Sequence, residues 1–186
     1  MLALVTGRGG LPARVAAAQA KPPLICVLDG FAPEGLQADI TFRLEHLGTL
    51  LADLSARGIT DICLCGAIER PQFDPKALDA ATLPLVPVMM QAMGSGDDAA
   101  LRAVMTLFEQ HGFTMRAAHD LAPETLAPAG MLTDVHLAES AQSDVARADA
   151  VLTALAPLDV GQGCVVGSGL VWGIETIGGT DHMLKF

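Results

Sequence analysis

Tyrosine is absent from this chain of 186 residues, and aromatic residues of all kinds make up only 4% of it. The hydrophobic fraction is nevertheless 51%, so a core must be built mainly from aliphatic side chains. Lysine and arginine are also scarce, with 11 against 21 Asp and Glu, which gives a formal net charge of −10. Because such a charge repels the phosphate backbone of nucleic acids, we expect no nucleic-acid partner.

Long apolar runs are missing as well. None of them approaches the roughly 20 residues that a membrane-spanning helix needs. The first 20 residues carry Arg8 and Arg14 and lack the apolar centre of a secretion signal. The four cysteines show no CxxC spacing, which favours reduced thiols of a core over a metal site or disulfides. The sequence therefore predicts a cytosolic protein.

Short apolar runs alternate with helix-favouring segments over the first 116 residues. The pattern predicts strands at 2–5, 23–28 and 59–65 and helices at 13–20, 44–57 and 99–111. Strands that alternate with helices are typical of a parallel sheet covered on both faces. The segment 117–134 contains Pro123, Pro128 and Gly130 with little periodicity, and it predicts a linker.

The last part of the chain predicts the beginning of another domain. Residues 139–155 favour a helix, and residues 164–166 and 170–175 favour a β-hairpin around Gly167-Ser168-Gly169. One helix and one hairpin are too little for a self-sufficient domain. We therefore predict an α/β protein with a Rossmann-like parallel-sheet domain at 1–133, which ends in the linker. Part of a second α/β (α+β) domain follows at 134–186.

A glycine loop, Gly7-Arg8-Gly9-Gly10-Leu11-Pro12, lies between the first predicted strand and the first predicted helix. With Asp29 at the end of the second strand, it is similar to a dinucleotide fingerprint, although Pro12 replaces the third glycine. An NAD(P)-dependent oxidoreductase that uses Gly7, Gly9 and Asp29 is therefore one alternative. Backbone N–H groups at a helix start, together with Arg8, also favour a general anion site. The other interpretation is a plain tight turn.

Two acids, Asp97 and Asp98, open the helix predicted after Gly94-Ser95-Gly96. Carboxylates at a helix start accept hydrogen bonds from its first N–H groups and oppose its dipole. Paired carboxylates also suit a ligand or a hydrated Mg²⁺. The pattern leaves both interpretations open.

Glycines, acids and hydroxyl or amide groups are concentrated in two tail segments. These are Asp159-Val160-Gly161-Gln162-Gly163 and Glu175-Thr176-Ile177-Gly178-Gly179-Thr180-Asp181. Glycines permit a close backbone approach, Thr180 can cap the next helix, and acids can hold a metal ion or a hydroxyl group. The tail segments predict a ligand-binding turn, and the alternative is a structural bend.

The chain resembles the metal-dependent UDP-2,3-diacylglucosamine pyrophosphatases, a family once described only as a domain of unknown function. The resemblance spans nearly the whole chain and is carried, in the same order, by the glycine loop, by Gly96-Asp97-Asp98 with Leu101-Arg102, and by the two tail segments with Met183-Leu184. It implies a Rossmann-like domain joined to a distinct C-terminal domain, with the lipid-linked nucleotide between them. It also implies hydrolysis of UDP-2,3-diacylglucosamine to UMP and lipid X (2,3-diacylglucosamine 1-phosphate) in lipid A biosynthesis, with Mg²⁺ or Mn²⁺.

The resemblance also implies roles for individual residues. Glu175 and Asp181 are expected to act as catalytic and metal-binding acids. Substrate contacts are expected from Gly7, Arg8, Gly9, Gly10, Leu11, Asp97, Asp98, Gly161, Gln162, Gly179 and Thr180. The expected partners are the substrate or lipid X and the cytoplasmic surface of the inner membrane, to which the enzyme would be peripheral. A homo-oligomer is also compatible with the sequence.

Two departures from the family pattern bear on activity. The usual Glu-Gly-Thr-Asp is here Gly178-Gly179-Thr180-Asp181, so one carboxylate is lost. The main catalytic acid of the family belongs to a Lys-Pro-x-Gln-Asp type segment, which we expect beyond Phe186. The sequence therefore predicts a C-terminally truncated form that does not turn over the substrate alone. A non-catalytic nucleotide- or lipid-binding module is the second alternative.

Overall fold

The computed structural model describes residues 1–69, 72–94, 96–136 and 138–185. The chain divides into two compact units. The first unit comprises Met1–Ser95 and Ala100–Ala127, and the second comprises Gly96–Ala99 and Pro128–Phe186. The boundary that the sequence predicts, at residue 133, lies a few residues beyond the end of the first unit. Phe186, the reference point for the expected downstream acid, lies outside the described residues.

The first unit is built on a parallel β-sheet. Its strands are β1 (Leu2–Thr6), β2 (Leu24–Leu28), β3 (Ile40–Phe42), β4 (Asp61–Cys65) and β5 (Thr114–Met115). Their order in the sheet is β3-β2-β1-β4-β5, and every neighbouring pair is parallel. This is the strand order of Rossmann-type folds, and the predicted fold class is confirmed. The edge strands β3 and β5 escaped prediction because two or three residues are too few to show a strand pattern.

Helices cover both faces of this sheet. The described residues form α1 (Leu11–Ala17), α2 (Leu47–Ala56), α3 (Val86–Met93), α4 (Asp97–Gln110) and α5 (Ala118–Leu121). Ala3 belongs to one hydrophobic cluster with residues of α2, α3 and α4, whereas Leu4 belongs to another with residues of α1 and α5. Because successive side chains of a strand point to opposite faces, the two helix groups lie on opposite sides.

The predicted linker starts later than the sequence suggests. Residues 118–121 form α5, and Ala122 after it is fully buried in the second cluster. A helix of four residues is too short to show helical periodicity, which explains the difference. The same cluster holds Cys63, and all four cysteines are free thiols. Burial raises the pKa of the Cys26 thiol to about 12, so it stays protonated and unreactive.

A buried polar seam attaches residues 72–82 to the start of α2. Glu45 is 2% exposed and accepts hydrogen bonds from Arg43 Nε at 3.1 Å, Arg43 Nη2 at 3.2 Å and Asp74 N at 2.7 Å. Thr82 is fully buried, and its hydroxyl accepts from Gly48 N at 2.8 Å. Hydrogen bonds from Arg43 are the main cause that lowers the pKa of Glu45 to about 2. The seam therefore contains an acid that is ionised at neutral pH.

The second unit consists of helices and a hairpin. Its elements are α6 (Glu139–Leu155), β6 (Cys164–Gly167), β7 (Leu170–Ile174) and α7 (Gly179–Met183). The predicted helix and hairpin are thereby confirmed. Asp144 of α6 accepts hydrogen bonds from Ser168 N at 3.0 Å and Gly169 N at 2.7 Å, which fixes the hairpin turn. Among the described residues of this unit none is buried, and Trp172 is 71% exposed.

No helix within the described ranges is both long enough and apolar enough to span a membrane.

Candidate active site

The glycine loop after β1 contacts the loop after β4 through its backbone. Gly7 N donates to Cys65 O at 2.9 Å, and Arg8 and Ala67 exchange N–H···O bonds of 2.8 and 3.0 Å. A Cβ atom at Gly7 would collide with the carbonyl group of Ala67. Packing between these loops therefore explains the glycine at position 7, and it commits two of the N–H groups in the glycine loop to protein acceptors.

The N–H groups of Gly9 and Gly10 are the donors of the loop that could still bind the predicted anion. Gly9 N and Gly10 N donate to no acceptor within the described residues. Gly9 has a φ of 94°, and the Cβ positions of both glycines face open space. Leu11 then begins α1 and is 38% exposed. A phosphate site at Gly9 and Gly10 stays a prediction, and the geometry leaves room for it.

The Arg8 guanidinium is held from three sides. Its Nη1 lies 3.3 Å from Glu69 Oε1, its Nη2 donates to Gly30 O at 3.1 Å, and its Cζ lies 5.0 Å from the centroid of the Phe31 ring. Glu69 is 80% exposed, so this ion pair contributes little. The carbonyl and the ring fix the orientation of Arg8 at the edge of a pocket that also includes Asp29.

One of the features that suggested a nicotinamide cofactor, Gly7, has another structural explanation here. Gly7 is required by the Ala67 carbonyl. Pro12 is fully buried in the first turn of α1, where dinucleotide-binding folds have their third glycine. No observation on the described residues favours the oxidoreductase alternative.

In the second unit, the two tail segments meet at the carboxylate of Glu175. Gln162 N donates to Oε2 at 3.0 Å, and Thr180 Oγ1 donates to Oε1 at 2.7 Å. Glu175 N in turn donates to Gly163 O at 2.8 Å. The Thr180 hydroxyl, followed by the Gln162 N–H, lowers the pKa of Glu175. The acid is therefore ionised at neutral pH and ties the two segments together.

The glycines of the tail segments permit this approach. A Cβ atom at Gly161 would collide with the carbonyl group of Glu175. Gly179, the first residue of α7, has a φ of 76°, which favours glycine. A Cβ atom at Gly178 would lie 2.8 Å from the His182 ring. The His182 imidazole thus packs over position 178, where the resemblance led us to expect Glu.

Asp181 is separate from the hydrogen bonds around Glu175. It belongs to α7 and is exposed. Within the described residues its side chain makes no hydrogen bond and no ion pair. Its carboxylate is therefore available to water, substrate or a cation, whereas that of Glu175 is already engaged at both oxygens.

The described residues do not make a complete metal site. Both oxygens of Glu175 accept protein hydrogen bonds, and no group of three His, Cys, Asp or Glu side chains in the described ranges could hold a metal ion. A hard cation such as Mg²⁺ takes six oxygen ligands, of which one or two carboxylates are usual. The expected Mg²⁺ or Mn²⁺ stays a prediction.

The acids at the start of α4 have an unexpected neighbour. The helix begins at Asp97, whose side chain lies outside the described part of the chain, and Asp98 follows. Asp159 Oδ2 accepts a long hydrogen bond of 3.4 Å from Ala99 N. A Cβ atom at Gly96 would collide with the Asp159 carboxylate. Sequence reasoning missed this role of Asp159, although its place at the head of a tail segment was a signal.

The described structure thus joins some of the predicted site residues and not others. Gly161, Gln162, Thr180 and Glu175 form one cluster in the second unit. The residues of the glycine loop belong to the first unit, and Asp97 and Asp98 lie in the segment grouped with the second. Asp29, Phe31 and Arg43, which border the pocket beside Arg8, were missing from the predicted substrate contacts.

Comparison with known proteins covers both units. Residues 1–125 match the model of the LpxI N-terminal domain, and residues 128–186 match that of the LpxI C-terminal domain. The chain is 35% identical over 191 residues to the UDP-2,3-diacylglucosamine pyrophosphatase LpxI of Caulobacter vibrioides. That alignment covers 99% of this chain and 68% of the relative. The glycine loop and both tail segments lie inside the matched regions.

Proposed function

Because this chain belongs to the LpxI family, we propose that it hydrolyses the pyrophosphate bond of UDP-2,3-diacylglucosamine in lipid A biosynthesis. The observation that carries this proposal is the similarity, along 99% of the chain, to a relative named UDP-2,3-diacylglucosamine pyrophosphatase. In this reaction water attacks a phosphorus atom and the bridging P–O bond breaks. The products are UMP and 2,3-diacylglucosamine 1-phosphate.

Backbone donors of the glycine loop suit this substrate class. The N–H groups of Gly9 and Gly10 have no protein acceptor within the described residues. N–H donors that are fixed before the reaction stabilise negative charge on phosphoryl oxygens without reorganisation. We assign these two groups to a phosphate of the substrate, with the preoriented Arg8 guanidinium beside them.

The two acids of the second unit receive different roles. Glu175 is ionised and hydrogen-bonded at both oxygens, so it is a positioning residue that holds Gln162 and Thr180. The carboxylate of Asp181 is exposed, and it has no hydrogen-bond or ion-pair partner in the described part of the chain. We assign Asp181 to the orientation of water or of a substrate hydroxyl, which a carboxylate does as a hydrogen-bond acceptor.

Metal dependence and membrane location are further parts of the proposal. The family resemblance supports Mg²⁺ or Mn²⁺ dependence, with Asp181 and Glu175 as the acids closest to such a role. It also supports a peripheral position at the cytoplasmic face of the inner membrane, where a diacylated substrate is accessible. The net charge of −10 opposes binding to anionic lipids. We therefore expect the acyl chains of the substrate, and not a basic patch, to bring the enzyme to the surface.

The test is UMP release from UDP-2,3-diacylglucosamine by the natural protein that contains this sequence, with Mg²⁺, with Mn²⁺ and with a chelator. We expect release that the chelator abolishes. Asp181→Asn should lower kcat by roughly 100-fold, since misplacing one group of a catalytic set costs about that much. Asp149→Asn, which removes an exposed acid of α6, serves as the charge-matched control and should be neutral.

The roles assigned to the acids can fail independently of the reaction. Absence of UMP release under all metal conditions would overturn the proposed activity. Full activity of Asp181→Asn, alongside an active wild type, would remove only that residue from the site.

A further inference from the structure

A turn at the carboxyl end of β2 places an acid at the edge of the parallel sheet. Asp29 N donates to Phe42 O of β3 at 2.8 Å, and Phe31 N donates to Leu28 O at 2.9 Å. Gly30 has a φ of 85°, and its carbonyl accepts from Arg8 Nη2 at 3.1 Å. These bonds fix the backbone on both sides of Asp29, so the backbone sets where its exposed side chain starts.

Two pockets adjoin at this turn. One has a volume of about 330 Å³ and the other of about 370 Å³, and Asp29 and Gly30 border both. Arg8 and Arg43 also line the first pocket. The second is mostly apolar, with Val27, Ala32, Pro33 and Leu36 in its lining. Asp29 therefore stands between a polar and an apolar compartment of the same unit.

The other charges of the polar compartment already have partners. Arg8 contacts Glu69 at 3.3 Å, and Arg43 contacts Glu45 at 3.1 Å. The Asp29 carboxylate makes no hydrogen bond and no ion pair within the described residues. A carboxylate accepts hydrogen bonds, so Asp29 fits a hydrogen-bond donor of a ligand, such as a hydroxyl group.

We propose that Asp29 accepts hydrogen bonds from the ribose hydroxyls of the uridine end of the substrate. The inference rests on the proposed function and names which end of the substrate the first unit takes. In open parallel sheets, ligands bind beyond the carboxyl ends of the strands, and an acid after the second strand accepts ribose hydroxyls. The base would lie in the apolar pocket, and the 5′-phosphate would point toward Arg8 and Gly9.

The assignment is tested by calorimetry with UMP and 2′-deoxy-UMP. The unmodified protein should bind UMP roughly tenfold more tightly, because the deoxy ligand loses a hydrogen bond to a charged acceptor. In Asp29→Asn we expect weaker UMP binding and a preference that falls to about twofold or less. Glu34→Gln, an exposed charge-matched change on the same loop that borders neither pocket, should keep the tenfold preference.

The outcomes separate this inference from the proposed reaction. The comparison of the two ligands on unmodified protein does not depend on whether a variant folds, and equal affinity there would overturn the ribose contact. If UMP release persists while Asp29→Asn keeps the full preference, the subsite is wrong and the reaction stands. If the natural protein neither releases nor binds UMP, both fail.

Discussion

Replacement of Glu45 by glutamine should destabilise the first unit in a way that depends on pH. The side chain is 2% exposed and accepts two hydrogen bonds from Arg43 and one from Asp74 N. The amide oxygen of the glutamine could still accept from Asp74 N, but the variant loses the charge that matches the guanidinium. Because Arg43 is 49% exposed, it regains water when the pair is broken. We therefore expect a cost of about 2 kcal/mol at pH 7, below the roughly 3–5 kcal/mol typical when a fully buried pair loses one partner.

The pH dependence follows from the pKa of the acid. The value of about 2, against the ordinary 4.5, corresponds to at most about 3 kcal/mol of stability. Since the folded-state pKa is depressed, this stability is present above the unfolded pKa and is lost as the pH falls from about 5 to about 2. At pH 3 about 2 kcal/mol of it should already be gone. The solvent around Arg43 makes these figures upper limits.

Urea denaturation followed by circular dichroism at pH 7 and pH 3 measures both effects. The free energies of unfolding of the wild type and of Glu45→Gln should differ clearly at pH 7. At pH 3 they should differ by about 1 kcal/mol or less, because most of the stability that depends on the charge of Glu45 is lost there. Glu109→Gln, an exposed acid of α4, serves as the control and should match the wild type at both values. A difference between wild type and Glu45→Gln that stays constant with pH would show that ionisation of Glu45 contributes nothing, and the reasoning would be refuted.

Two further changes test packing in the first unit. Gly7→Ala places a methyl group against the Ala67 carbonyl and should lower stability by about 1–3 kcal/mol in thermal melts. In Gly10→Ala, the control, the methyl group points into open space, and the stability should stay within about 0.5 kcal/mol of the wild type. Equal melting temperatures for both would contradict the assigned loop contact. Thr82→Val leaves Gly48 N without its acceptor and should lower stability by about 1–3 kcal/mol. Thr82→Ser keeps the hydroxyl and should lower stability by less. The reverse order would show that the methyl group of Thr82 matters more than its hydrogen bond.

Much of the fold was predictable because its main elements are long or strongly patterned. The central strands β1, β2 and β4 are apolar on both faces, and α2 repeats leucine at helical spacing, so their class and parallel arrangement followed from the sequence. The edge strands and α5 were missed because their identity comes from tertiary contacts. The five residues of β3 and β5 become strands only beside β2 and β4.

The candidate site was less predictable, because spacing along the chain shows which residue types gather but not which atoms meet. The sequence grouped Gln162 and Thr180 with Glu175, and the structure adds that both bond the same carboxylate. It could not show that Gly7 serves loop packing or that Asp159 reaches Ala99 N, since both are contacts between residues far apart in the chain. Asp29 was noted only for another cofactor, and its two adjoining pockets depend on the fold.

The engagement of Glu175 bears on how this family can break a pyrophosphate bond. An acid whose pKa is lowered by two hydrogen bonds is a poor proton donor at neutral pH. The reaction does not demand one, because the leaving group is a phosphate monoester and phosphoryl transfer proceeds mainly through positioning and charge stabilisation. The same hydrogen bonds join Gln162 and Thr180 to one carboxylate, so the role of Glu175 is to position these two residues. Replacement by glutamine should therefore impair the arrangement of the tail segments more than it shifts the pH profile.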